Sequence, residues 1–191
     1  MPEPGEAMTG APAGVTRTPD ALDTALERLR LDGAIFLQAE YTEGWAYESP
    51  PSSLLAGLLD LGVDRLVLFH IVAGGECWIA LPDGERLWAR QGDVIVLPYG
   101  DAHAMGGSEE AELVPVTSLL AMPPWEELPR IRHGMGGAPT EVVCGYLRAD
   151  DPLFDPRLRA FPPVFVVRPP PGPAASWVDA NIRYALDAGA R

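Results

Sequence analysis

Lysine is missing from this 191-residue chain: all 14 of its basic residues are arginine. That removes Schiff-base chemistry and lysine general-base catalysis from consideration. Positive charge is scarce as a whole. With 27 acidic residues the net charge is −13, whereas a nucleic-acid surface needs clustered cations to displace counterions from phosphates. No nucleic-acid contact by this chain itself is expected. Histidine is limited to three residues and cysteine to two. Two cysteines make no disulfide framework. No apolar run approaches the ~20 residues of a membrane-spanning helix. The first residues lack the basic and apolar regions of a secretory signal. A cytoplasmic protein without membrane contact is expected, and in that compartment a Cys77–Cys144 disulfide is disfavoured.

Proline and glycine, at 21 and 20 residues, are plentiful and act as punctuation. Residues 1–17 have little to bury and read as a flexible tail. Thr18-Pro19-Asp20 is a helix start, with Leu22, Ala25, Leu26 and Leu29 at helical spacing and Gly33 as the stop. Residues 34–47 read as strand, and residues 52–61 as an apolar helical turn or two, suited to a lid or a dimer surface. Four short β-rich runs follow, over residues 66–72, 77–81, 86–89 and 94–97, separated by glycine-containing turns. Short strands at this regular spacing argue for an antiparallel barrel or sandwich. Residues 111–120 and 141–147 add two strands, with a long connection over 122–137. After a last apolar run at 164–168, Pro169 to Pro173 form a stiff spacer. A terminal helix is expected over 176–186, with Ser176 as N-cap and Trp177, Ile182 and Leu186 buried. The domains expected are thus a tail (1–17), a barrel (18–168) and a spacer with helix (169–191).

The stretch Gly92 to His103 runs Gly, five residues, Pro98, one residue, Gly100, two residues, His103. It resembles the second motif of the cupin superfamily, in which the histidine points into a small β-barrel and often binds metal. The family's asparagine four positions later is Gly107 here. The resemblance implies a mainly β fold, a cupin-type double-stranded β-helix barrel (jelly roll), flanked here by an N-terminal and a C-terminal helix. Three pieces together are more specific: Leu68 to Ile79, Gly92 to His103, and Gly136-Gly137 with Thr140 to Tyr146. In this order they resemble the N-terminal sensor domain of AraC-type transcription regulators, over roughly residues 18–187. The resemblance implies ligand sensing and homodimer formation. Such regulators continue into helix-turn-helix units that are not in this sequence, so either a truncated sensor domain or a stand-alone cupin with the sensor's sequence is expected, and DNA binding would belong to the absent part.

His70, Cys77, His103 and Cys144 are the candidate metal ligands. If Gly74-Gly75 makes a two-residue hairpin turn, Val72 pairs with Cys77, and His70 and Cys77 become diagonal neighbours on one face. A longer turn puts them on opposite faces. Two histidines and two cysteines suit a closed tetrahedral site for zinc or another divalent metal. The competing readings are hydrogen-bonded core histidines and inert buried thiols, or a redox pair formed by the thiols alone. The usual cupin metal set also needs two histidines two residues apart, and Val72 follows His70 at that spacing. With His133, the third histidine, expected in a glycine-flanked loop, the three-histidine oxygenase site cannot be assembled, and no catalytic residues are assigned. Trp45, Trp78, Trp88 and Tyr99 are candidate ligand-lining residues at the barrel mouth, with ordinary burial as the alternative. Trp125, in the long connection, is a candidate lid. The expected function is a sensor domain for a small-molecule or metal effector. The alternatives are a stand-alone metal-dependent cupin enzyme on a small organic substrate, or a cysteine-based redox sensor.

Overall fold

Alternation of large and small or polar side chains turns one face of each strand inward, and two such faces close on each other. The computed structural model describes residues 32–188, apart from 60, 122–123 and 149–151. The expected tail over 1–17 and the expected helix from Thr18 fall outside the described residues. Gly33, expected to end that helix, lies in a strand.

One sheet contains β1 (Asp32–Thr42), β3 (Val67–Gly74), β6 (Val94–Leu97), β9 (Arg130–His133), β10 (Pro139–Arg148) and β11 (Phe165–Val167). Their order is β11-β6-β3-β10-β1-β9. The second sheet contains β2 (Ala46–Ser49), β4 (Glu76–Ala80), β5 (Leu87–Arg90), β7 (His103–Gly106) and β8 (Val114–Pro115), in the order β5-β4-β7-β2-β8. Register decides which side chains meet. In the first sheet Leu37 faces Cys144, Cys144 faces His70, and His70 faces Ile95. In the second, Ser49 faces His103 and Ile79 faces Met105. Leu37, Ile95, Cys144, Ile79 and Met105 all belong to one buried cluster between the sheets.

Two helices complete the described chain. The short α1 (Ser52–Leu58) follows Pro50-Pro51. The terminal α2 (Pro173–Ala188) starts at Pro173, three residues before the expected Ser176; proline's fixed φ suits the first helical turn. Val178 and Ile182 of α2 pack against Ile71, Ala73 and Val143. By the period of two these are the outward neighbours of the core residues, so α2 covers the outside of the first sheet. Trp177, expected to be buried, is 62% exposed, because Val178 takes the sheet-facing position. Among the described residues, no helix is long and apolar enough to cross a membrane.

Three further expectations are corrected. The strand expected over 111–120 shrinks to β8 and a 3-10 turn at Val116–Ser118. The connection over 122–137 contains β9, with His133 in a strand and not in a loop. Above all, Gly74-Gly75 is not a hairpin turn. β3 and β4 belong to different sheets, and Gly75, at φ 73°, is the corner where the chain crosses between them. A Cβ there would stand 2.7 Å from the Pro139 carbonyl oxygen, so the corner also needs glycine's small size.

Candidate functional site

A later crossing between the sheets, from β6 to β7, builds the site. β6 ends at Leu97, Pro98 stops it, and Gly100 (φ 62°) turns the chain so that β7 opens with His103 in the other sheet. The turn also anchors α1. The Ser52 amide donates to the Gly100 carbonyl at 2.7 Å, and Ser52 Oγ accepts from the Leu66 amide at 3.0 Å. A Cβ on Gly100 would overlap Ser52 Oγ and the Leu66 carbonyl. The turn thus fixes both His103 and the helix beside it.

Between α1 and a wall formed by Val116, Thr117, Leu120, Ala121 and Trp125 a cavity of about 100 Å³ runs inward to His70, His103 and Cys144. Its walls are largely apolar, including Leu55, Leu68, Leu120, Phe36 and Trp125. No Arg, Asp or Glu lines it among the described residues. The two imidazole rings, one from each sheet, have centroids 5.2 Å apart. His70 Nδ1 lies 3.0 Å from Cys144 Sγ, and His103 Nδ1 lies 3.0 Å from the Asp101 carbonyl oxygen. Nε2 of each ring is buried without a hydrogen-bond partner among the described residues.

Electrostatics set the protonation states. Burial pushes the His103 pKa down to about 4, against the pull of the Asp101 carbonyl. Burial, reinforced by His103, pushes His70 well below the usual histidine range. Both rings are therefore neutral near pH 7. A carbonyl only accepts, so His103 Nδ1 carries the proton and its Nε2 exposes a lone pair. Burial raises the Cys144 thiol far above the ordinary range, and Cys77 adds to the shift. The Cys77 thiol is pushed up to about 12, mainly by burial, with Glu76 and Asp93 contributing. Both thiols stay protonated, and both cysteines are free.

Three of the four expected metal ligands thus meet at one place: His70, His103 and Cys144. Cys77 does not join them. β4 pairs with β7 so that Trp78 faces Gly106, which puts Cys77 level with Gly107. That is four positions from His103, or about 13 Å along the strand. The hairpin that would have joined Cys77 to His70 is replaced by the crossing at Gly75. Among the described residues, no three His, Cys, Asp or Glu side chains are grouped to hold a metal. The closed four-ligand zinc site does not fit these residues.

The expected ligand-lining aromatics are placed elsewhere. Trp45 is buried and stacks on Tyr41, with centroids 3.9 Å apart. Trp78 and Trp88 alternate with the core residues Cys77, Ile79 and Ala89, so they face outward. The Arg86 guanidinium sits 4.1 Å above Trp78, and Trp88 is 48% exposed. The Tyr99 hydroxyl donates to the Phe161 carbonyl and accepts from the Phe161 amide, away from the cavity. Phe36, Tyr47 and Trp125 line the cavity instead. Of these only Trp125 was singled out by sequence. The signal for Tyr47 was strand alternation, which does not say which end of a barrel is open, whereas Phe36 is the extra residue of a bulge in β1 between Ile35 and Leu37, which alternation does not reveal.

Comparison with known proteins gives one family-level match. A family model described as Cupin matches residues 20–191. No curated protein matches the chain. Among solved structures, the protein YhaK from Escherichia coli is similar at 13% identity, with a TM-score of 0.38. The match covers 75% of this chain and 44% of that one, so the chain spans less than half the length of that protein.

Proposed function

The chain belongs to the cupin family and has the cupin-type β-barrel expected from its sequence; from that premise we propose that it is a ligand-sensing and dimerisation domain like that of AraC-type regulators. One observation carries the proposal. An apolar cavity ends at two neutral imidazoles whose Nε2 atoms are buried and unpartnered among the described residues. An unmade buried hydrogen bond costs about 1–3 kcal/mol, so a ligand that satisfies these nitrogens is favoured over an empty site. The chemistry of the lining supports binding over turnover. Neither ring holds a proton to donate as an imidazolium near pH 7, the Cys144 thiol is not a thiolate, and no carboxylate lines the cavity among the described residues. The same burial argues against a redox role for the two thiols, since reactive cysteines need thiolate character and access.

The test is a thermal-shift screen of charged and uncharged small organic fragments against the wild type and Leu55→Trp, which fills the cavity. Fragments should raise the wild-type Tm and lose that effect in the variant. Stabilisation that survives Leu55→Trp, or no stabilising fragment at all, would overturn the proposal. A stoichiometric divalent metal in the purified protein, lost in His103→Ala, would also overturn it in favour of a metal site.

A further inference from the structure

The ligand's chemical class can be read from the ends of the cavity, granted the ligand-binding reading above. His103 Nε2 presents a lone pair and nothing else, because its Nδ1 proton is held by the Asp101 carbonyl. His70 is complementary. Its Nδ1 faces the Cys144 sulfur at 3.0 Å. When the thiol S–H donates to Nδ1, the proton of the neutral ring sits on Nε2 and points onward as a donor. One acceptor from one sheet and one donor from the other then border the same cavity, on rings whose centroids are 5.2 Å apart. A single hydroxyl group satisfies both, donating to His103 and accepting from His70. A carboxylate offers only acceptors and brings a charge that no described lining residue compensates. An ammonium offers only donors and likewise stays unpaired. A hydrocarbon leaves both nitrogens unsatisfied.

The volume sets the size. About 100 Å³ is of the same order as the ~150 Å³ apolar cavity that takes benzene, so the body is no larger than one ring. The leucine, phenylalanine and tryptophan walls call for an apolar body. We propose that the cavity binds a small uncharged hydroxyl compound, a phenol or compact alcohol, with its hydroxyl bridged between His103 and His70.

Phenol, toluene and benzoate make the test, with affinities measured calorimetrically or by the fluorescence of Trp125 near the mouth. Phenol should bind about tenfold more tightly than toluene, the worth of one to two net hydrogen bonds, and benzoate should bind more weakly than either. In His103→Leu, toluene binding should persist while the advantage of phenol disappears. Nitrogen NMR of the wild type gives a check that needs no variant: phenol should shift the His103 Nε2 resonance and toluene should not. Equal affinity for phenol and toluene, or a preference for benzoate, overturns the hydroxyl class while leaving the cavity as a ligand site. So does the failure of all three probes when other fragments bind and are lost in Leu55→Trp. If no fragment of any class binds there, the ligand-binding reading falls as well.

Discussion

A backbone carbonyl two residues upstream makes His103 a fixed acceptor, and burial keeps it neutral. That neutrality has a measurable consequence for stability. The folded-state pKa is about 4, below the roughly 6.5 of an unfolded histidine. Between these values the unfolded chain binds the proton and the folded one does not. The stabilisation from His103 is therefore complete above pH ~6.5 and lost as the pH falls toward 4, at up to about 1.4 kcal/mol per pH unit. In His103→Leu, chemical denaturation across this range should show a dependence shallower by about one proton. An unchanged slope would mean that the folded ring titrates like an exposed histidine. His70 contributes in the same direction in both proteins, less strongly in the variant because His103 no longer reinforces its shift, so the difference reads His103 together with its coupling to His70.

At the scale of elements, Gly100 and Gly92 form a natural pair for comparison. Both have positive φ, at 62° and 87°, and left-handed backbone costs a side-chain-bearing residue about 1–2 kcal/mol. A Cβ on Gly92 meets nothing within 4 Å, whereas one on Gly100 overlaps Ser52 and Leu66. Gly92→Ala should therefore cost only the backbone strain. Gly100→Ala should cost more, push α1 off its turn and weaken phenol and toluene binding together. Equal losses of Tm, with binding intact in both, would contradict the anchoring role. Much of this geometry was legible in the sequence. The residues Gly92 to His103 announced the strand and the turn, their resemblance to the cupin motif implied the inward histidine, and the strands at 66–72, 77–81, 86–89 and 94–97 were found nearly to the residue. What was not legible was which neighbours pair. Nothing local to Gly74-Gly75 says whether the next strand folds back or crosses to another sheet, and that choice alone separated Cys77 from His70. Trp78 and Trp88 failed for a related reason. With apolar residues on both faces of β4 and β5, alternation identifies the faces but not which one is inward.

For the molecule as a whole, the proposed homodimer should form through α2. Its sheet-facing side is occupied by Val178 and Ile182, while Trp177 and Tyr184 are 62% and 71% exposed. These two aromatics lie seven residues apart, hence on one face of the helix. Sedimentation at micromolar concentration should show a dimer, and Trp177→Asp with Tyr184→Asp should yield a folded monomer with unchanged Tm. A monomeric wild type would remove the pairing claim. The net charge of −13 opposes self-association through mutual repulsion, so added salt should tighten the dimer. His70 and Ile71 are consecutive residues of β3, as Val143 and Cys144 are of β10. One member of each pair reaches the cavity and the other lies beneath α2. The first sheet is thus a partition one backbone thick. A displacement of β3 or β10 by whatever fills the chamber is, by the same motion, a displacement of the floor on which α2 stands.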